Sequence, residues 1–226
     1  MANKTNRLFK ISKPFLIMVE GKDDAEMLYK FCEHINVSRE LFQIFQYKGK
    51  EKFPAALKSL TNTEEFEIVQ KLAIFRDADE CSDSAFQSIE HHLRANELIP
   101  SDAVPTSQGA VTHSDDEQAP ISIGVFITPN CSDTGALESL LLGSLTGDMQ
   151  AELDGFIIRS EALLSTGRLR QKYKHSDKSK TYAYSALFEN ASFHDTFNKR
   201  LWDYDHASFE KLKSFFGEFN LPIDTI

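Results

Sequence analysis

Three acidic side chains fall where strands are expected to end. Glu20 closes the apolar run Phe15-Leu16-Ile17-Met18-Val19, and Asp77 and Asp79 follow the run Leu72 to Phe75 in the stretch Arg76-Asp77-Ala78-Asp79. Ligands of open α/β sheets bind at the carboxyl ends of the strands, so acids at two such ends can act as one cluster. Two carboxylates ~4 Å apart repel by about 4 kcal/mol at an effective dielectric of 20. Three together raise their own pKa values unless a cation joins them. Mg2+, or Mn2+ in its place, suits such a cluster, being hard, oxygen-seeking and content with few protein ligands beside waters and phosphates. An ion held there activates water and offsets charge building on a phosphoryl group. A carboxylate the metal does not fully use, here Glu20, can serve as general acid or base. A lone DxD can equally be a helix cap; the second acidic strand end is what favours a metal.

These acids need elements to hold them. After the first strand, Gly21 permits a tight turn, and Asp23 or Asp24 can cap a helix running to about His34 with Ala25, Leu28, Phe31 and Cys32 on one face. Leu41 to Tyr47 reads as strand two, Lys48-Gly49-Lys50 as a turn, and Phe53 to Leu60 as a helix with Pro54 in its first turn. Strand three, Leu72 to Phe75, leads to a helix capped by Ser82 or Asp83 and ending near Asn96. Ile121 to Thr128 is strand four. Gly135 then opens a helix, Ala136 to Leu145, with Glu138 in its first turn. The alternation argues for an α/β fold with a mainly parallel, four-stranded sheet flanked by helices. After Gly147 strand signals largely stop. Helices are expected over Met149–Leu164, Ser179–Asn190 and Ser208–Phe219, the last with a stripe of Phe209, Leu212, Phe215, Phe216 and Phe219 packing on the sheet. The division is an α/β core over 1–147 and a helical extension over 148–226 packed on it. Residues 100–120, with Pro100, Pro105, Pro120 and unopposed acids, read as a mobile surface insertion in the core.

Composition narrows the partners. The chain has 226 residues, 41% of them apolar, with 18 phenylalanines and a net charge of -9. That charge repels nucleic acid, so any such contact must be local or metal-bridged. Cys32, Cys81 and Cys131 have no zinc-site spacing, and their odd number argues against a disulfide framework; a reducing cytoplasm is the simplest setting. The first fourteen residues carry lysines but no apolar signal core, and no run approaches the ~18 residues of a membrane span. A soluble chain without membrane contact is expected.

The sequence Val19-Glu20-Gly21-Lys22-Asp23-Asp24 followed by a DxD after a later strand resembles the Toprim domain, which topoisomerases, bacterial primases, RecR-type recombination proteins and overcoming-lysogenization-defect nucleases share. It looks most like small stand-alone Toprim-like proteins of uncharacterised function. The likeness extends to Tyr47-Lys48-Gly49-Lys50, to Gly135-Ala136-Leu137-Glu138-Ser139-Leu140-Leu141 and to Lys180-Thr181-Tyr182-Ala183-Tyr184, and covers roughly residues 14–216. It implies a Toprim-like, Rossmann-like fold and Mg2+-dependent phosphoryl transfer on nucleic acid. Glu20, Asp77 and Asp79 match its acidic motifs. Asp24 matches a further acidic position of nuclease-like members, and Glu138 becomes a ligand candidate as well as a dipole-favoured first-turn glutamate. Lys48 departs from the pattern, where relatives often carry a second glycine, and so does Arg76, a permanent cation beside the acids.

One basic stretch contrasts with the acidic remainder. Arg168, Arg170, Lys172, Lys174, Lys178 and Lys180 face Asp177 alone, with Tyr173 and Tyr182 in or beside it. This composition suits phosphate contacts with aromatic stacking, or simply a solvated loop. Lys180 is the lysine best placed in sequence to stabilise a phosphoryl transition state, and Lys22 could touch phosphate through its turn. The readings are a metal-dependent nuclease acting on DNA or RNA, a non-catalytic module that binds metal, nucleotide or partner, and, last, a haloacid-dehalogenase-like phosphatase using Asp77 and Asp79. A protein partner or a second copy of the chain is compatible with the first two.

Overall fold

The computed structural model describes residues 9–99, 108–113, 121–165, 176–189 and 192–221. Its strands are β1 (Phe15–Val19), β2 (Phe42–Gln46), β3 (Lys71–Asp77), β4 (Val111–His113) and β5 (Ser122–Thr128). They form one sheet in the order β2-β1-β3-β5-β4. The first four in that order run parallel, and β4 pairs antiparallel with β5, Val111 opposite Gly124 and His113 opposite Ser122. The fold class is the expected one, with a fifth strand added. That strand lies inside the expected insertion: three residues take strand form there because β5 offers an unpaired edge, a non-local cause that no local pattern carries. Residues 100–107 and 114–120 of the insertion lie outside the described residues.

Strand side chains alternate between two cores, as a parallel sheet covered on both faces requires. Phe15, Ile17, Val19, Ala73, Phe75 and Phe126 face one core, and Leu16, Met18, Leu72, Ile74, Val125 and Ile127 face the other. The second core is closed by α2 (Phe53–Thr61) and α3 (Ser82–Ala95). The first is closed by α1 (Lys22–His34), α4 (Leu137–Leu142) and the C-terminal helices α5 (Gly147–Ser165), α6 (Ser176–Ser185), α7 (Phe193–Asn198) and α8 (Glu210–Glu218). Gly124 of β5 makes this packing possible. A Cβ there would lie 2.7 Å from Phe215 and 2.9 Å from Phe219, so only glycine lets α8 lie so close. The α8 stripe joins Phe15, Phe31 and Phe75 in a continuous aromatic cluster.

Helix α7 was not expected. Ser192 caps it, exchanging bonds with Asp195, and this S-x-x-D box is a start signal readable in the sequence. Behind it Trp202 is buried, its indole N–H donating to Thr196 Oγ1 at 2.8 Å, with the Tyr184 ring 5.0 Å away. Cys81, not Ser82 or Asp83, stands at the N-cap of α3. Among the described residues no helix is long and apolar enough to cross a membrane.

Candidate metal-binding cleft

The strand order makes the site. From β1 the chain goes to β2 on one side, then returns to β3 on the other, so the crevice beyond the carboxyl ends of β1 and β3 is a topological switch point. Glu20 follows β1 and Asp77 ends β3. A cleft of about 1020 Å³ opens there, lined among others by Glu20, Lys50, Arg76, Asp77, Asp79 and Glu138.

Three acids stand here, Glu20, Asp24 and Asp77, and backbone N–H groups orient the last two. Gly21, the N-cap of α1, donates to Asp24 Oδ2 at 2.8 Å, and Leu137, opening α4, donates to Asp77 Oδ1 at 3.1 Å. Burial raises all three pKa values, and the carboxylates raise one another's. Asp24 is pushed up to about 6, first by desolvation and then by the charges of Glu20 and Glu138. Asp77 lies well above the usual range through desolvation and the charges of Asp24, Glu20 and Glu138. Glu20 is raised by burial and by Asp79, and drawn back by Arg76 and Lys50. Glu20, Asp24, Asp77 and Glu138 are thus within electrostatic reach of one another, and among the described residues none has a lysine or arginine ion-pair partner. As the side chains stand, no three of these groups among the described residues close around an ion. Asp24 and Asp77 each have one oxygen tied to backbone.

Asp79 is placed differently. Its φ is +51°, and its N–H and C=O both bond Gly135 at 2.9 Å, sewing the loop after β3 to the loop after β5. Its carboxylate turns to Lys50 Nζ at 2.5 Å. Gly135 itself has φ +126°, and a Cβ there would meet Ser139 Oγ at 2.4 Å. Gly135→Ala is therefore expected to cost about 1–3 kcal/mol and to loosen Asp79. Chemical denaturation of the variant checks the first, and hydrogen exchange at the Asp79 amide checks the second.

The cations are arranged in ways the sequence did not disclose. Arg76 lines the cleft with Nη1 on Ser88 Oγ at 3.1 Å, while its buried Nε has no acceptor among the described residues. Lys48 adopts φ +63°, the left-handed conformation that favours glycine, which explains the glycine of the resembling pattern. Lys180 does not line the cleft: its ammonium pairs with Asp154 at 2.6 Å and Asp177 at 3.3 Å. Lys178 lines the cleft instead, next to Asp177, whose carboxylate accepts from Ser139 Oγ at 2.7 Å. Lys22 is exposed at the start of α1 and is not a lining residue. Arg168, Arg170, Lys172 and Lys174 lie outside the described residues. Of the cysteines, Cys81 is exposed on the cleft wall and Cys131 is buried.

Sheet and cleft together define an α/β protein with an acidic crevice at its β1/β3 switch point. The chain belongs to the family described as protein of unknown function (DUF3226), whose model matches residues 14–220. Among solved structures it is similar to the C-terminal region of the Xanthomonas campestris pv. campestris OLD protein. A platinum-phased structure of that region is 17% identical, over 84% of this chain and 78% of that one, with a TM-score of 0.38. A mercury-phased structure is 15% identical, over 93% and 89%, with a TM-score of 0.39. No curated protein matches the chain.

Proposed function

We propose that the cleft is a divalent-metal site for phosphoryl transfer of the Toprim type, and that the protein is a metal-dependent nuclease. One observation carries the reading: four carboxylates meet at the switch point, three of them, Glu20, Asp24 and Asp77, with raised pKa values, and none has a protein cation paired to it among the described residues. The donor set is all carboxylate oxygen, which fits a hard divalent cation such as Mg2+ or Mn2+. Glu20, Asp77, Asp79 and Glu138, which line the cleft, and the buried Asp24 beside them are the residues that would hold it. When bound, such an ion lowers the pKa of a bound water and polarises a phosphoryl oxygen. Glu20, which lines the cleft with a pKa raised by burial, would take the proton of the attacking water. Lys50, Arg76 and Lys178 present positive charge to the phosphate from the same cleft. The resemblance of Glu20-Gly21 and Asp77-Ala78-Asp79 to Toprim motifs supports nucleic acid as the substrate class, with the basic stretch at 168–180 as its contact.

A module that holds the ion without cleaving is the second reading, since the same carboxylates would hold a cation in either case. Incubating single-stranded DNA, duplex DNA and tRNA with the protein in Mg2+ or Mn2+ separates the two. Metal-dependent cleavage that falls about a hundredfold or more in both Glu20→Gln and Asp77→Asn supports the nuclease. Metal uptake by calorimetry without cleavage supports the module, and no uptake overturns both.

A further inference from the structure

We propose that Lys50 and Asp79 form a resting latch across the cleft, which couples binding of a phosphate-bearing anion to binding of the divalent cation. The inference rests on the metal-site reading above and concerns how that site is regulated. Lys50 comes from the turn after β2 and Asp79 from the loop after β3. Because β1 lies between these strands, their ion pair passes over the end of β1, where Glu20 stands. Among the described residues it is the one ion pair that joins two lining residues of the cleft.

Backbone contacts hold both partners in place. Lys48 N–H, in the same turn as Lys50, donates to the Glu20 carbonyl at 2.8 Å, and Asp79 is bonded twice to Gly135, so side-chain movement is enough to open the latch. The two side chains are 53% and 47% exposed, so parting them sacrifices little burial. Once parted, the Lys50 ammonium is free for a phosphate oxygen. The Asp79 carboxylate is free to join Glu20, whose pKa already registers its charge. Each ligand therefore removes the other's competitor. By linkage the coupling must be reciprocal: anion strengthens cation binding as much as cation strengthens anion binding.

The test uses calorimetric titration of the full chain, with Mg2+ alone and with thymidine 5′-monophosphate alone, a probe that has no phosphodiester bond to cut. Lys50→Met is expected to bind Mg2+ about fivefold more tightly than wild type, the scale of an exposed ion pair. Lys178→Met, which removes the same charge from the same cleft without touching the pair, should change it less than twofold. Asp79→Asn is expected to tighten metal-free nucleotide binding by a similar factor, and Glu80→Gln, the matched control, much less. If Lys50→Met and Lys178→Met behave alike, or if Lys50→Met binds Mg2+ no better than wild type, the latch is overturned while the metal site stands. If neither wild type nor Lys50→Met takes up Mg2+ at millimolar concentration, the metal site itself falls and the latch with it.

Discussion

Stripped of divalent metal, the protein is expected to melt several degrees higher at pH 5 than at pH 7. Asp24 rises from 3.8 to about 6 in the folded state, and Asp77 and Glu20 move in the same direction. A carboxyl with a raised folded pKa makes the folded state the better proton binder between its unfolded and folded values. Stability then falls as pH climbs through that window and is recovered as pH falls back through it. For Asp24 the window runs from about 4 to about 6, and it contributes on the order of 1–3 kcal/mol. The exposed Asp195 and Asp205, whose pKa values are lowered by Ser192 and His34, work in the opposite sense below about pH 4, and His92, whose pKa is lowered by burial, opposes the effect within the window but is mostly solvated and offsets only part of it. Mg2+ should remove the pH 7 deficit, since an ion that binds only the folded state stabilises it by mass action. Asp77→Asn keeps an oxygen for the Leu137 N–H while deleting a charge. It should melt higher than wild type at pH 7 without metal, flatten the pH profile and lose the Mg2+ increment. Thermal melts of both proteins across pH 5–7, with chelator and with Mg2+, check all three. A wild type that melts lower at pH 5 than at pH 7 in chelator would contradict the electrostatic account of the cleft.

Phe216→Ala should be the most damaging single truncation considered, at about 3–5 kcal/mol. The Phe216 ring is 2% exposed and lies 6.2 Å from Phe15 of β1, 5.8 Å from Phe31 of α1 and 6.0 Å, nearly parallel, from Phe75 of β3. It is where the C-terminal helices enter the core of the sheet. Phe156 on α5 is 51% exposed, and Phe156→Ala should change stability by no more than about 0.5 kcal/mol. Urea denaturation gives both values. We propose residues 148–226 as an extension that completes the core, and a loss below about 1 kcal/mol at Phe216 would make it an appendage instead.

What the sequence disclosed follows the range of the forces involved. Glu20 after β1 and Asp77 at the end of β3 were legible because apolar runs of strand length, each closed by an acid and followed by a helix, are local patterns. The helical stripe of Phe209, Leu212, Phe215 and Phe216 was legible for the same reason. Helix α7 was missed although Ser192 and Asp195 spell its start, because only six residues follow. Strand β4 had no local signal, since its form comes from the free edge of β5. The strand order was not legible either, and with it the fact that Glu20 and Asp77 share a switch point. In the sequence Lys50 is legible only as part of a turn. Its pairing with Asp79, 29 residues on, depends on β2 and β3 flanking β1. Composition alone points to Lys180 within a basic run and cannot foresee that Asp154, on the preceding helix, takes up its charge.

The buried indole of Trp202 has a practical consequence. It is the chain's single tryptophan, hydrogen-bonded to Thr196 and packed on Tyr184 among the C-terminal helices rather than at the cleft. Its fluorescence therefore comes from one place. A blue-shifted emission in the native state reports that the C-terminal helices are seated, and a red shift reports that they have come away. Far-ultraviolet dichroism follows the whole chain at once. If the two signals change together on denaturation, sheet and C-terminal helices melt as one unit; if the emission shifts first, the helices have left the sheet while it still stands.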